Sequence, residues 1–206
     1  AKAHMNLGST LKELGRLDEA EVSCRQAIAL KPDLTEAHSY LGNTLQELGR
    51  LDEAESSYNQ AIALNPDYAE THNNLGNMLN SLRRLGEAEA SLGRAIALKP
   101  DYAEAHNNLG NTLNGLGRLD EALTSYNRAI ALAPDLAEAH SNLGNTLREL
   151  GRLDEAEASL TQAIGLKINY AEAHNDLGNI LKDLGRLGEA EIRHKQSLAL
   201  KPDYAE

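Results

Sequence analysis

A Leu-Gly pair returns every 34 residues, at Leu7-Gly8, Leu41-Gly42, Leu75-Gly76, Leu109-Gly110, Leu143-Gly144 and Leu177-Gly178, with no insertion or deletion between copies. Alanine keeps the same spacing at Ala20, Ala54, Ala88, Ala122, Ala156 and Ala190, as does proline at Pro32, Pro66, Pro100 and Pro134. A period this strict means that each copy is one supersecondary unit burying its apolar face on its neighbours. The chain is therefore predicted to be a solenoid, with its function on a surface rather than in an enclosed pocket. The repeats run 1–34, 35–68, 69–102, 103–136, 137–170 and 171–204, residues 205–206 open a further one, and 1–206 reads as a single array. Both ends read as cut, which makes the chain an expected excerpt of a longer protein.

The fourth repeat shows how one copy folds. Asp101, with Glu104 three residues on, predicts a capping box at the start of a helix. Leu109, Leu113 and Leu116 follow at i, i+4 and i+7 and place one leucine stripe along it. Gly117 ends that helix in a left-handed conformation. Arg118 and Leu119 turn the chain, and Asp120 is placed to cap a second helix whose inner face carries Ala122, Tyr126, Ala129 and Ile130. Ala133-Pro134 stops it. Helices of about four turns are marginal alone, so each pair must dock on the next, and Gly110 and Ala122 let the two backbones of a pair come close.

These positions resemble the tetratricopeptide repeat, whose signature is W-x₂-L-G-x₂-Y, then A-x₃-F, then P. In the fourth repeat the matching residues are His106, Leu109-Gly110, Leu113, Ala122, Tyr126 and Pro134, so His and Leu stand in the two aromatic positions of the first helix. The resemblance implies an all-α, right-handed superhelical solenoid of six helix-turn-helix repeats. The N-L-G-N core at Asn74 to Asn77, Asn108 to Asn111 and Asn142 to Asn145 looks like the branch found in O-linked N-acetylglucosamine transferases and their bacterial relatives. That branch lines its inner groove with asparagines that hold extended peptide, and it implies recruitment of substrate to an attached transferase domain.

At 100° per residue, positions two before and two after the L-G leucine lie nearly opposite the leucine stripe. Asn73, Asn77, Asn107 and Asn111 occupy them in the third and fourth repeats, flanked by Asn74 and Asn108. Asn43, Asn142, Asn145, Asn175 and Asn179 extend the track. Asparagine is about 0.6 kcal/mol worse than alanine in an exposed helix, so its repeated use on one face marks a function. An amide offers a donor and an acceptor together and can match a peptide backbone without reading side chains. The opposing expectation is that these amides bond to one another and order the stack. Lys12, Glu13, Gln46 and Glu47 flank one end, Arg148, Glu149, Lys182 and Asp183 the other, and Asn80, Ser81, Asn114 and Gly115 leave the middle uncharged. Glu36, Glu70, Glu104, Glu138 and Glu172 recur near helix starts, where they complement the helix dipole.

A net charge of −11 disfavours nucleic acid, anionic membranes and the acidic C-terminal peptides of chaperones. Chaperone-binding relatives use lysines two before the L-G leucine, where this chain has Met5, Ser39, Asn73, Asn107, Ser141 and Asn175. No window approaches the roughly 18 apolar residues of a membrane span, and no signal peptide is evident, which points to the cytoplasm. His4, His38, His72, His106, His140 and His174 form a second ladder, but equivalent positions about 10 Å apart cannot share a zinc ion, and half-buried packing is expected of them. Cys24 occupies the slot of Tyr58, Leu92, Tyr126, Leu160 and His194, a packing position. No catalytic residue, metal or cofactor is expected. An alternative role is end-to-end self-assembly through terminal faces at Leu187, Ile192 and Leu198. The third repeat is the expected weak point, with Arg83 where the other repeats have the helix-ending glycine, and Gly93 inside its second helix.

Overall fold

The computed structural model describes residues 1–201, and these form twelve α-helices and no strand. The expected start of a further repeat at 205–206 lies outside the described residues. The chain packs as two compact units, Ala1–Pro100 and the residues from Asp101 onward. In the first, α1 (Lys2–Glu13) pairs with α2 (Leu17–Leu30), α3 (Thr35–Glu47) with α4 (Leu51–Leu64), and α5 (Ala69–Ser81) with α6 (Leu85–Leu98). In the second, α7 (Ala103–Gly115) pairs with α8 (Leu119–Leu132), α9 (Ala137–Glu149) with α10 (Leu153–Leu166), and α11 (Ala171–Asp183) with α12 (Leu187–Leu200). Within each unit the backbones of successive first helices approach one another more closely than those of successive second helices. The first-helix face is therefore the inner side of each stack.

Small residues make the pairs. A Cβ added at Gly110 would stand 2.5 Å from Tyr126 Cε1, and one at Gly42 2.6 Å from Tyr58 Cε1. No side chain fits in that space, so the Leu-Gly pair is where each second helix lays its largest core residue against the first. The first unit packs Cys24, Leu45, Tyr58, Met78 and Leu79 into one core, and the second packs Tyr126, Leu147, Leu160, Leu177 and Ile180 into another. Of the fourth repeat's stripe, Leu109 and Leu113 turn inward, whereas Leu116 is the C-cap of α7 and is exposed.

The helix starts differ from expectation. Tyr102, not Asp101, is the N-cap of α7, and no side chain caps that helix, because the intervening residue moves the aspartate out of reach. Asp120 likewise sits inside the first turn of α8, after its N-cap Arg118, and complements the dipole there without a cap bond. The arginine reaches forward instead, and its guanidinium holds Glu121 through two bonds of 2.7 Å. Equivalent forks join Arg16 to Glu19, Arg50 to Glu53, Arg84 to Glu87, Arg152 to Glu155 and Arg186 to Glu189. Arg50 also bonds Glu21, Arg84 Glu55 and Arg186 Glu157, each a glutamate on the preceding second helix at 2.6 Å. Arg152 has no such glutamate behind it, since Leu123 stands at that position.

The third repeat is irregular in three ways. Arg83 has φ 61°, the only left-handed non-glycine among the described residues, where Gly15, Gly49, Gly117, Gly151 and Gly185 serve elsewhere. That conformation costs a non-glycine residue about 1 kcal/mol. Gly93 weakens α6 from within. Thr71 replaces the alanine of Ala37, Ala105, Ala139 and Ala173, and its buried hydroxyl finds no hydrogen-bond partner. The extra bulk sits at the α4–α5 junction, which is packed less closely than α2–α3.

Candidate functional site

The two asparagine registers do not share an environment. Asn73 and Asn107, two before the leucine, are only 6% and 8% exposed, not outward as the 100° construction predicts. Packing against neighbouring helices covers that register, and Ser39 and Ser141 are buried there too. The register two after the leucine stays open: Asn77 is exposed and Asn43, Asn111, Asn145 and Asn179 are half-buried. Asn74, Asn108, Asn142 and Asn175, one before or two before the leucine, are also half-buried.

In the first unit Asn43, Asn74 and Asn77 line one hollow with Lys12, Gln46 and Glu47. The Tyr58 hydroxyl, rising from the second helix, lies 2.7 Å from Asn43 Oδ1 and 2.9 Å from Gln46 Oε1. Donation to that carbonyl fixes the Asn43 amide and leaves its Nδ2 without a bond within the chain. Asn74 accepts a 3.3 Å bond from Asn73 Nδ2 through its own Oδ1, which again leaves the Nδ2 unused, and Asn77 makes no hydrogen bond. Lys12 and Glu47 close a 2.8 Å ion pair, so the wall carries no unbalanced charge. The hollow thus presents several amide donors and acceptors side by side on a neutral wall.

The second unit uses the same residues between repeats. Asn142 Nδ2 donates to Asn107 Oδ1 at 3.0 Å, Asn114 Nδ2 to Thr146 Oγ1 at 3.0 Å, and Asn145 Nδ2 to Asp176 Oδ2 at 2.8 Å. Burial raises the Asp176 carboxyl above the ordinary carboxylate range, against the opposing pull of the Asn145 donor. Arg148 closes on Asp183 at 2.6 Å. Asn111 repeats the arrangement of Asn43, its Oδ1 2.8 Å from the Tyr126 hydroxyl, and Asn179 makes no hydrogen bond.

Those tyrosines are the part of the site that the sequence reading treated only as packing. The available signal is the alternation at the core slot of the second helix, where Tyr58 and Tyr126 stand fifteen residues after Asn43 and Asn111 while Leu92 and Leu160 follow Asn77 and Asn145.

The histidine ladder ties loops to helices. His38 Nε2 lies 2.9 Å from Pro32 O, His72 Nε2 2.9 Å from Pro66 O, His140 Nε2 3.1 Å from Pro134 O and His174 Nε2 3.2 Å from Ile168 O. Each ring therefore donates to the turn before its own helix. Among the described residues no group of three His, Cys, Asp or Glu is placed to hold a metal ion, and no helix is long and apolar enough to cross a membrane. Cys24 is buried, and that burial pushes its thiol up to about 11, the reverse of an activated nucleophile.

Sequence profiles described as "Tetratricopeptide repeat" match residues 67–135, 101–168, 135–203 and 1–34, and one described as "TPR repeat" matches 42–82. No curated protein matches the chain. Among solved structures, PilW, described as a widely conserved type IV pilus biogenesis factor, is similar at a TM-score of 0.89 and 25% identity over 100% of this chain and 94% of that one. TTC0263, a thermophilic TPR protein of Thermus thermophilus, gives 0.76 and 28% over 88% and 98%. The Cut9–Hcn1 hetero-tetramer of the APC/C gives 0.90 and 22% over 97% of this chain, which spans only 40% of its counterpart there. With the 34-residue period, the helix pairs and profile matches over most of its length, the chain belongs to the tetratricopeptide repeat family, whose fold is a scaffold for protein–protein interaction.

Proposed function

We propose that the first-helix face binds a segment of another protein in extended conformation, with the first-unit hollow as its principal contact. Asn43, Asn74 and Asn77 hold the ligand backbone there, and Asn111 and Asn179 offer like contacts in the second unit. The observation that carries this reading is the set of Nδ2 groups in that hollow that make no bond within the chain, one of them fixed by Tyr58. Backbone N–H and C=O groups match amides whatever the side chains, so the expected ligands are varied in sequence and extended in shape. The neutral wall does not select an acidic peptide. The N-L-G-N resemblance supports the same ligand class and suggests delivery of that segment to an attached transferase domain.

The test is selection of ligands from a random peptide library, followed by affinity measurement on the parent and on a triple variant, Asn43→Ala, Asn74→Ala and Asn77→Ala. Three lost amide contacts lower affinity by at least tenfold at about 1 kcal/mol each. Melting temperature stays level or rises, because alanine is the better helix former and Gln46 still accepts from Tyr58. A variant that binds as tightly as its parent overturns the proposal.

A further inference from the structure

We propose that the first-unit hollow reads one carboxamide side chain, an asparagine or a glutamine, on the segment it binds, through Asn43 and Gln46 acting as a pair. The inference rests on the extended-segment reading above and adds one sequence requirement to it. The hollow has a volume of about 240 Å³ and is lined from α1, α3 and α5, so a repeat stands on either side of the pair.

One proton decides the polarity of the pair. The Tyr58 hydroxyl is 2.7 Å from Asn43 Oδ1 and 2.9 Å from Gln46 Oε1. Burial raises that hydroxyl well above the ordinary tyrosine range, so it stays protonated and has a single hydrogen to donate. Whichever carbonyl takes the hydrogen, the other amide meets the hydroxyl oxygen best with its NH₂, and an amide fits the same position in either sense. The shorter contact assigns the proton to Asn43. Gln46 then gives its NH₂ to Tyr58 and keeps its carbonyl for the hollow.

Asn43 and Gln46 stand three residues apart on α3, the spacing of neighbours on one helix face. They therefore offer a donor beside an acceptor. A carboxamide carries C=O and NH₂ on one carbon and meets both, whereas a carboxylate brings acceptors alone and an ammonium donors alone. A single backbone unit does not serve, because the N–H and C=O of a trans peptide point in opposite directions. The backbone is left to Asn74, Asn77 and the second hydrogen of Asn43 Nδ2. Lys12 and Glu47, paired at 2.8 Å, leave no net charge to favour an acid or a base instead. The fourth repeat lacks this coupling. Tyr126 again bonds Asn111, at 2.8 Å, but the shorter Asn114 at the Gln46 position donates to Thr146 Oγ1 at 3.0 Å, so the tyrosine sets one amide there and not two.

Positional scanning of peptides selected from a random library tests this. Each position of a selected peptide is changed in turn to Gln, Asn, Glu, Lys and Ala, and affinities are measured by titration calorimetry. The expected result is one position at which Gln or Asn binds about tenfold more tightly than Glu, Lys or Ala. On Gln46→Ala and on Tyr58→Phe that ratio falls to about threefold or less, with circular dichroism checking that both stay folded. A purely structural role for either residue would weaken all peptides alike and preserve the ratio. Peptides that bind through Asn74 and Asn77 but show no carboxamide position overturn this inference and leave the extended-segment reading standing, whereas the absence of any binding peptide overturns both. A ratio unchanged by either substitution also overturns the inference.

Discussion

The two units employ one motif differently. In the second unit the asparagines are laced from repeat to repeat, Asn142 to Asn107 and Asn145 to Asp176, while in the first unit Asn43, Asn74 and Asn77 leave amide groups open. Two substitutions account for the difference. Ser39 stands where Asn107 supplies the acceptor, and its side chain is too short to reach the following repeat. Tyr58 holds Asn43 by its carbonyl, whereas Leu160 offers no hydroxyl and leaves Asn145 to reach Asp176. A periodic polar residue therefore has no fixed role; what the neighbouring helix offers it decides between holding the stack and leaving its amide open.

The largest effect separates these roles directly. Asn107→Ala strands the Asn142 donor in a half-buried position and lowers the free energy of unfolding by about 1 to 2 kcal/mol. Asn77→Ala has nothing to strand and raises it by about 0.5 kcal/mol through helix propensity. Urea denaturation of the two variants measures both, and shifts of the same sign would erase the distinction.

The repeat grammar was legible because it rests on backbone needs. Glycine fits the left-handed helix ends, small residues fit where Tyr126 meets Gly110, and the leucines mark the buried stripe. Arg83 could be foreseen as a strained terminator by the same logic, since one position in six lacks the expected residue. What stayed hidden depends on distances between elements. Straight-helix geometry made Asn73 and Asn107 outward, whereas packing against neighbouring helices buries them. The cap expected from Asp101 failed by a single residue, a precision that spacing alone does not carry. Thr71 reads as an ordinary helix residue until its hydroxyl is seen buried without a partner.

That threonine gives the next effect. Thr71→Ala restores the alanine of the other repeats, removes the orphaned hydroxyl and raises the free energy of unfolding by about 1 kcal/mol. It leaves Arg83 and Gly93 in place, so hydrogen exchange from Ser81 to Gly93 stays faster than across α3 and α4 in parent and variant alike. Equal protection of the two repeats would show that the third is not the weaker one.

The smallest effect depends on pH. Burial holds the Asp176 carboxyl above its ordinary range, so the unfolded chain ionises first, near pH ~4 for a free aspartate. The parent loses stability as pH rises from the unfolded value through the folded one, whereas Asp176→Asn has nothing to titrate and still accepts from Asn145. The melting-temperature advantage of the variant therefore widens between about pH 3 and pH 7. An advantage that narrows over that range would contradict the burial of the charge.

The most direct measurement follows the side-chain amide resonances of asparagine during titration with a library-selected peptide. The account predicts that the NH₂ signals of Asn43, Asn74 and Asn77 shift in proportion to occupancy, while those of Asn142 and Asn145, already bonded to the next repeat, stay in place. Movement of Asn142 and Asn145 with Asn43, Asn74 and Asn77 unchanged would contradict it.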